Sequence, residues 1–326
     1  MHHFLFEFIT GGGLSGRDLP ESLLNEGKIM LQTLLKELHQ AGELKVSMSR
    51  DIRIDSFDDN TEQYLVAAQA LEEVLPKWIK MSDVAWLIAP ETGNALYFLA
   101  ELFSEYGNIY IGSKPDTIKI CTSKLLTTNL LAKADISVIE TKRINEPVVA
   151  SSTGWIVKPD DGVGSENCFF IKSENELSEI IDKYKDTNMI MQPYLEGLSL
   201  SMSLLVFDNQ VRLLACNKQY IEIIEGSVTL TAIGVNECLL YQDKMLALAQ
   251  KIVTTISGFA GYIGVDLILS DNKLFVVDIN PRFTTAYAGI SESLGCNVTA
   301  KILDVFLNNK IVDIDLAEAE PVRVNL

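Results

Sequence analysis

Histidine is scarce in this sequence, and its scarcity limits the chemistry that the chain supports. The 326 residues include three histidines, and two of them, His2 and His3, stand at the amino terminus. Only His39 remains, inside a predicted helix, so a histidine-based metal or catalytic site is hard to build. The five cysteines are scattered, odd in number and never spaced as CxxC. We therefore expect reduced, mostly buried thiols and a cytoplasmic protein, and not a metal or redox site.

Basic residues and long apolar runs are also in short supply. Lysine and arginine number 27 against 44 acidic residues, which gives a formal net charge of −17. Such a surface repels a phosphate backbone, so we expect no nucleic-acid partner, although a local basic pocket for a small anion is still allowed. No apolar run approaches the ~20 residues of a membrane span, and the N-terminal residues lack the pattern of a signal peptide. We thus predict no membrane partner, and we leave a homodimer open.

The first third of the chain alternates strand and helix patterns. HFLFEFI and DVAWLIAP read as buried strands, NEGKIMLQTLLKELHQAG reads as a helix, and a second helix is predicted over about Glu62 to Met81. Strands that alternate with helices favour a mostly parallel sheet with helical crossovers. We predict a three-layer α/β domain over residues 1–114.

From residue 115 the pattern changes from α/β to α+β. Residues 115–195 are predicted to form a compact lobe with a Gly-rich turn between two strands, and residues 196–326 a larger lobe rich in antiparallel strands. The pairs Asp208-Asn209 and Asp271-Asn272 each suit a two-residue hairpin turn. The C-terminal stretch DIDLAEAEP reads as a loosely held tail.

The stretch FVVDINPRF, residues 275–283, places polar side chains on a buried strand. Asp278, Asn280 and Arg282 alternate along it, so all three face the same side of the sheet. The hairpin turn before it sets Asp266 opposite Asp278 or its immediate neighbour. Two buried carboxylates this close repel each other unless a cation lies between them, and oxygens from Asp, Asp and Asn suit Mg²⁺. The alternative, a surface hairpin edge with solvated acids, fits the apolar flanks less well.

The stretch VKPDDGVGSE combines a lysine with a Gly-rich turn, namely Lys158 with Gly162, Gly164 and Ser165. Glycines let backbone N–H groups approach a phosphate closely, and a fixed lysine supplies the counter-charge. The stretch lacks the GxxxxGK[ST] of a Walker motif, and by itself it also fits an ordinary hairpin turn. The paired-carboxylate hairpin later in the chain strengthens the phosphate interpretation.

Two further lysines and one connecting segment have two interpretations each. Lys124 lies in the predicted helix TSKLLTTNLL, where a solvated side chain is the simpler interpretation. Lys218, in CNKQY, lies on an apolar strand, where an unpaired ammonium is costly. It therefore needs an internal carboxylate or a bound phosphate. The segment MQPYLEG either offers backbone groups to a flat ring or is an ordinary interdomain connection.

These stretches occur in an order that resembles the ATP-grasp superfamily of carboxylate–amine ligases over essentially the whole chain. The resemblance implies that ATP lies between two α+β lobes, and that GVGS is a mobile phosphate loop. For the nucleotide, the resemblance implies Lys124, Lys158, Gly162, Gly164, Ser165, Gln192, Pro193, Tyr194 and Leu195. For two Mg²⁺ ions, for which Mn²⁺ can substitute, it implies Asp266, Asp278 and Asn280. For catalysis it implies Arg282 and Lys218. Arg282 would stabilise the transferred phosphoryl group or the acyl phosphate.

The sequence departs from the family pattern after Gly197. Many relatives carry an acidic residue there for the ribose hydroxyls, whereas this chain continues with LSLSMS. Ser199 takes that place, and it is expected to contact the ribose, with Glu196 as the nearby acid.

A narrower resemblance concerns the substrates. FEFITGGG, LPESLLNEGKIML, APETGNAL, NKQYI and DINPRFTTAYAG are similar to the tyramine–glutamate ligase group of methanofuran and methylofuran biosynthesis. The resemblance implies that an acyl phosphate of glutamate reacts with tyramine, tyrosine or a second glutamate. Ligands on open parallel sheets bind beyond the carboxyl ends of the strands. Gly12 and Arg17 are therefore candidates for a carboxylate and Glu91 for a protonated amine, although both stretches also read as turns with solvated charges.

A catalytically silent ATP-binding regulatory protein of the same fold is the competing hypothesis. Such a protein would be free to lose one of the residues Asp266, Asp278, Asn280 and Arg282. All four are intact, so the sequence favours a ligase.

Overall fold

Two β-sheets organise the protein, whose computed structural model describes residues 1–67, 70–164 and 166–326. The strands of the first sheet are β1 (His2–Glu7), β2 (Lys45–Asp51), β3 (Glu62–Val66), β4 (Val84–Ile88) and β5 (Ile109–Ile111). They pair in the order β3-β2-β1-β4-β5, and every pairing is parallel. The predicted parallel sheet is confirmed.

Helices cover both faces of this first sheet, because its central strands are apolar on both sides. The helices are α1 (Glu21–Gln40), α2 (Leu71–Lys80) and α3 (Ala95–Tyr106), and a 3₁₀ turn at Thr92–Asn94 precedes α3. On β1, Leu5 packs in one core cluster with Leu34 of α1. Phe4 and Phe6 point the other way and pack with Phe103 of α3. The result is the predicted three-layer arrangement.

The predicted helix over Glu62 to Met81 is wrong in its first part. Glu62–Val66 is strand β3, paired in parallel with β2, and α2 begins at Leu71. An edge strand this short has too few residues to show a clear alternation. Its pairing with β2 therefore outweighs its local helical preference.

Within the described residues, the second sheet contains ten strands. They are β6 (Lys142–Arg143), β7 (Trp155–Pro159), β8 (Phe169–Ile171), β9 (Met189–Pro193), β10 (Leu198–Phe207), β11 (Gln210–Ile224), β12 (Ser227–Val235), β13 (Gly261–Ser270), β14 (Lys273–Asn280) and β15 (Val322–Asn325). The order is β14-β13-β10-β11-β12-β8-β7-β9-β6, with β15 on β12, and the pairings are antiparallel.

Both predicted Asp-Asn hairpins are present. Asp208 and Asn209 connect β10 to β11, and Asp271 and Asn272 connect β13 to β14. All four residues have positive φ between 46° and 63°, which Asp and Asn tolerate better than most residues and which a two-residue hairpin turn requires. The second turn sets the register as far as Leu267, which lies opposite Val276, and a one-residue shift between Asp266 and Leu267 then brings Asp266 opposite Asp278.

Six helices complete the described part of the chain: α4 (Pro115–Thr122), α5 (Lys124–Lys133), α6 (Glu174–Tyr184), α7 (Gln242–Thr255), α8 (Tyr287–Leu294) and α9 (Val298–Asn308). A 3₁₀ turn at Leu239–Tyr241 precedes α7. The predicted loose tail, residues 313–321, lacks regular structure, but β15 follows it and pairs with β12. Within the described ranges, no helix is long and apolar enough to cross a membrane. The boundaries at residues 114 and 195 stay predictions.

Candidate active site

One cavity of about 420 Å³ collects most of the residues that the sequence singled out. Side chains from distant parts of the second sheet line it, from β13 and β14 at one end to β7 and β9 near the other. The predicted residues that line the cavity are Lys124, Lys158, Gly162, Gly164, Gln192, Pro193, Tyr194, Leu195, Ser199, Asp266, Asp278, Asn280 and Arg282. Ser165, also predicted, lies outside the described residues.

The two carboxylates of the metal prediction face each other. Asp266 on β13 is directly opposite Asp278 on β14. Oδ1 of Asp266 accepts a hydrogen bond from Gln219 Nε2 at 2.8 Å, and Oδ2 accepts one from Asn280 Nδ2 at 3.1 Å. Burial, together with the charge of Asp278, raises the pKa of Asp266 to about 6. This close pair of acids is electrostatically unfavourable, so the structure favours a cation here.

The donor set fits magnesium better than a transition metal. Among the residues that the structure describes, no group of three or more His, Cys, Asp or Glu side chains could hold a metal ion. The donors at the hairpin are therefore two carboxylates and the amide of Asn280. Mg²⁺ is commonly bound through one or two carboxylates and takes its other ligands from phosphates and water.

Lys124 connects the Gly-rich turn to the metal hairpin, which is the β13–β14 hairpin that bears Asp266 and Asp278. The predicted single helix breaks at Ser123, whose hydroxyl donates to Asp160 Oδ2 at 2.8 Å, and Lys124 becomes the first residue of α5. Its Nζ lies 2.8 Å from both Gly162 O and Asp278 Oδ2. Burial alone would lower the pKa of Lys124, but the charge of Asp278 raises it above its ordinary value. Lys124 therefore stays charged beside the carboxylate pair.

Lys158 lines the cavity, and its ammonium has no anionic partner among the residues that the structure describes. It lies on β7, opposite Ile190 of β9, and lines the cavity. Among the described residues its ammonium forms neither an ion pair nor a hydrogen bond. Burial lowers the pKa of its ammonium, because a desolvated charge without a partner is costly. An anion such as a phosphate would remove this cost.

The Gly-rich turn contacts two parts of the first unit, by which we mean the first sheet with its helices α1 to α3 and their loops. Gly164 has a φ of 60°, and a Cβ at this position would lie 3.2 Å from the Leu23 side chain of α1. The loop after β4 contacts the same turn, since Thr92 Oγ1 donates to Asp161 O at 3.1 Å and Gly93 N donates to Asp161 Oδ2 at 2.9 Å. The turn thus closes one wall of the cavity.

The connecting segment MQPYLEG, whose residues 192–195 we call the hinge, lies next to an apolar part of the cavity. Gln192 Nε2 donates to Thr141 Oγ1 at 2.8 Å, and Tyr194 N donates to Gly154 O at 2.8 Å. The aliphatic side chains that line the cavity include Ile139, Ile156, Ile268 and Val277. Ser199 lies opposite Ile268 and also faces the cavity, whereas Glu196 is exposed and does not line it. A backbone segment beside aliphatic side chains fits a flat ring such as adenine.

Arg282 is bound by a carboxylate from the first unit. Its Nε lies 3.0 and 2.9 Å from the two oxygens of Glu91, and its Nη2 lies 2.8 Å from Oε2. The Glu91 side chain is only 4% exposed. Arg282 already occupies the carboxylate of Glu91, and Glu91 does not line the cavity, so this geometry gives no support to the prediction that Glu91 attracts a protonated amine.

Lys218 does not reach the cavity. Neighbouring side chains on β11 point to opposite faces, and Gln219 lines the cavity while Lys218 lies 3.7 Å from Glu237 and 4.6 Å from the centre of the Tyr220 ring. Of the two partners that the sequence left open for Lys218, the structure has the internal carboxylate. The catalytic role predicted for Lys218 has no support in this geometry.

The structure also places the two remaining substrate candidates outside the cavity lining. Gly12 is buried with a φ of 98°, and a Cβ there would lie 2.5 Å from Val66 Cγ1. Arg17 is exposed, and its carbonyl accepts a hydrogen bond from Arg53 Nη1 at 2.6 Å. Gly12 therefore serves close packing against β3, and Arg17 lies in a solvated turn.

The cavity residues that sequence reasoning missed include three polar ones, Gln219, Glu26 and Thr285. Gln219 could have been found from strand alternation, because it is the neighbour of Lys218 with the opposite orientation. Thr285 follows Arg282 in the stretch NPRFTT. Glu26 lies on an amphipathic helix where an acid normally reads as solvated, so its position depends on tertiary structure alone.

The chain matches known protein families along most of its length. Residues 121–286 match the ATP-grasp domain, and residues 44–118 match the pre ATP-grasp 3 domain. The chain therefore belongs to the ATP-grasp family and is an ATP-dependent ligase. It is 27% identical over 293 residues to the tyramine–L-glutamate ligase of Methanocaldococcus jannaschii, a match that covers 87% of this chain and 83% of that protein.

Solved structures show the same fold at low sequence identity. An ATP-grasp superfamily protein from Archaeoglobus fulgidus superposes with a TM-score of 0.73 at 21% identity, over 100% of this chain and 99% of that one. The N5-carboxyaminoimidazole synthase of Aspergillus clavatus, solved with ADP and 5-aminoimidazole ribonucleotide, gives a TM-score of 0.71 at 16% identity, over 99% and 80%. These matches establish the fold and do not identify the substrates.

Proposed function

We propose that the protein joins the carboxyl group of one small molecule to the amine of another, with ATP as the phosphoryl donor and an acyl phosphate as the intermediate. The observation that carries the proposal is the convergence of the carboxylate pair, the Gly-rich turn and Lys158 on one cavity. Lys158 has no anionic partner within the described part of the chain. A triphosphate with its metal would satisfy both the unpaired cation and the opposed acids.

ATP would lie along the cavity from the hinge to the metal hairpin. The hinge residues 192–195 would receive the adenine, and Ser199 would contact the ribose. Lys124, Lys158 and the backbone of the Gly-rich turn would hold the phosphates. The solved relative from Aspergillus clavatus contains ADP, which supports a nucleotide in this fold.

Asp266, Asp278 and Asn280 would hold magnesium, for which we propose two ions, with Mn²⁺ as a substitute. When bound, the metal would neutralise negative charge on the phosphates. Lys124 now pairs with Asp278, and Asn280 and Gln219 donate to Asp266. These groups would have to turn toward the phosphates when the metal binds.

Arg282 would stabilise the transferred phosphoryl group and the acyl phosphate. The carboxylate of Glu91 holds the Nε and Nη2 groups of Arg282, and its Nη1 donates to Phe283 O at 3.0 Å. The guanidinium is thus fixed before substrate arrives. A fixed charge needs little reorganisation during the reaction and stabilises the transition state more effectively than a mobile one.

For the substrates we propose L-glutamate as the acid and a tyramine-like or tyrosine-like compound as the amine. The sequence similarity to tyramine–L-glutamate ligase supports this choice. The same similarity supports a role in the biosynthesis of a methanofuran-type one-carbon cofactor, which we also propose. A silent ATP-binding protein of the same fold is the alternative.

The test combines purified protein with ATP, Mg²⁺, glutamate and a panel of amines. ADP release is followed by a coupled assay, and the amide product by mass spectrometry. We expect ADP only when both glutamate and an amine are present, and the Asp278→Asn variant should fold and bind far less Mg²⁺–ATP. ADP release with other acids while glutamate is inert would overturn the substrate assignment. ATP binding without turnover on any pair would favour the silent alternative.

A further inference from the structure

Glu26 is a cavity carboxylate that the nucleotide and metal assignments leave unused. It lies on α1 of the first unit, is half-buried and lines the cavity. Thr285 Oγ1 donates to its Oε2 at 3.1 Å. Oε1 of Glu26 accepts no hydrogen bond from any residue that the structure describes. One carboxylate oxygen therefore remains available to a ligand.

The position of Glu26 is between the phosphate turn and Arg282. A Cβ on Gly164 would lie 3.6 Å from Glu26 Oε1, so the carboxylate reaches the Gly-rich turn. On the other side, Thr285 belongs to the same segment as Arg282. The acyl phosphate of the proposed reaction would form in this part of the cavity, because both its phosphoryl group and its acyl group would be near Glu26.

The backbone beside Glu26 is tightly fixed. A Cβ on the next residue, Gly27, would lie 2.7 Å from Oε2 of Glu7. Glu7 is itself held by Ile9 N at 3.1 Å and by the N–H and hydroxyl of Thr10, both at 2.7 Å. Helix α1 therefore packs closely on the end of β1, and this contact fixes the direction in which Glu26 leaves the helix.

Neighbouring carboxylates are less suitable for binding a cation. Both oxygens of Glu7 accept hydrogen bonds, and Glu7 does not line the cavity. The Glu91 carboxylate is bound by Arg282. Glu166 lines the cavity but is exposed at the Gly-rich turn. Glu26 is thus the half-buried acid that remains after these pairings.

The charge balance favours a cation at Glu26. The charge of Arg282 acts on Glu26, but among the described residues Arg282 forms its ion pair with Glu91 and none with Glu26. Burial raises the pKa of Glu26 above its ordinary value. A bound ammonium would stabilise the ionised carboxylate and remove this cost.

We propose that Glu26 binds the ammonium group of the amine substrate and takes one proton from it, an inference that rests on the proposed function. The neutral amine then attacks the acyl carbon, the C–N bond forms, and the C–O bond to phosphate breaks. The second amine proton leaves with the phosphate, and Glu26 returns its proton to solvent. The net reaction converts the acyl phosphate and R–NH₃⁺ to amide, hydrogen phosphate and one proton.

The test compares two nucleophiles on the same acyl phosphate, with ATP, Mg²⁺ and glutamate present throughout. Tyramine is a cation at neutral pH and needs to lose a proton before it attacks. Hydroxylamine is uncharged at neutral pH and traps acyl phosphates as hydroxamates without help from a base. The variants are Glu26→Gln, Glu26→Asp and, as the matched control, Glu21→Gln, which makes the same change at an exposed position of the same helix.

We expect Glu26→Gln to lower the rate of amide formation with tyramine by about 100-fold or more, the usual contribution of a general base, and to raise the KM for tyramine. Hydroxamate formation should stay within about twofold of the parent protein, because the nucleotide and glutamate sites are unchanged. Glu26→Asp should recover part of the tyramine rate, and Glu21→Gln should match the parent. Thermal melting should show Glu26→Gln to be at least as stable as the parent.

Two results would overturn the assignment of Glu26. The first is a Glu26→Gln variant that forms the tyramine amide at the parental rate and KM. The second is an equal loss of amide and hydroxamate, which would place Glu26 with the nucleotide or the glutamate. If the parent itself forms no hydroxamate and no amide, the proposed function fails, and this inference fails with it.

Discussion

The carboxylate pair of the metal hairpin makes a prediction that does not depend on knowing the substrates. Asp266 faces Asp278, and its pKa rises from 3.8 to about 6 because of burial and the second charge. A shift of about two pKa units corresponds to roughly 3 kcal/mol. Replacing the charged member by a neutral one, as in Asp266→Asn, should therefore relieve this cost in the absence of metal and nucleotide.

The sign of the pH dependence follows from proton binding. Between its ordinary pKa and about 6, Asp266 binds more protons in the folded state than in the unfolded state, so stability falls as pH rises through this window. The loss of stability levels off about one pH unit above the folded-state pKa. Between about pH 4.5 and about pH 7.5 the parent should lose roughly 2 kcal/mol that the Asn variant does not lose. The amide of the variant also changes the hydrogen bonds with Gln219 and Asn280, but that effect is the same at both pH values.

The assay is urea unfolding followed by circular dichroism at both pH values, in EDTA and without nucleotide. Asp271→Asn is the matched control, because Asp271 is exposed in the turn of the same hairpin and has a positive φ that Asn accepts. The control should show the parental pH dependence. Equal pH dependence in Asp266→Asn and the parent would refute the charge argument. Adding Mg²⁺–ATP should reverse the order, since a ligand that binds the folded state stabilises only the protein that can bind it.

The remaining predictions concern other charged groups of the structure. Lys158→Met should weaken ATP binding in a nucleotide titration and leave the stability of the free protein unchanged or higher; a loss above about 2 kcal/mol would indicate a structural ion pair. Glu91→Gln should destabilise the protein by about 3 kcal/mol or more in urea unfolding, because it leaves the buried Arg282 charge without its partner; an intact stability with only a raised KM would contradict this. Burial lowers the pKa of His3 to about 4 and Trp86 Nε1 donates to its ring at 3.0 Å, so stability should fall as pH drops from about 6.5 to about 4. His3→Gln should flatten this loss in the same unfolding assay, and an unchanged slope would refute it.

The parts of the fold that the sequence predicts well have local signals. The hairpin between β13 and β14 has two alternating strands and an Asp-Asn turn whose residues favour positive φ, so its register could be counted from the turn. Strand β3 lacked such a signal, because Glu62–Val66 precedes a true helix and its pairing partner, β2, lies earlier in the chain. The break at Ser123 was also missed, since its hydroxyl bonds to Asp160 in another element.

For the site as well, the sequence predicts features that depend on local structure better than contacts between distant residues. Strand alternation correctly placed Asp278, Asn280 and Arg282 on one face. It could not show that Arg282 is bound by Glu91, which is 191 residues away in sequence. Both residues read as candidate ligand-binding groups in the sequence, yet in the fold they satisfy each other.

Pairing between distant residues therefore decides which charged groups are available to substrates. Lys218 pairs with Glu237 and Glu91 pairs with Arg282, and neither Lys218 nor Glu91 lines the cavity, so the geometry does not support the roles predicted for them. The described residues supply no anion for Lys158, which is consistent with the phosphate role predicted for it. One oxygen of Glu26 accepts no hydrogen bond from them, which supports the role that we propose for it. A cation and an anion that remain unpaired in one cavity match the two charges that a ligase of this kind has to receive, a phosphate and an ammonium. The charges that remain unpaired in the cavity thus add to what the motifs indicate about the substrates.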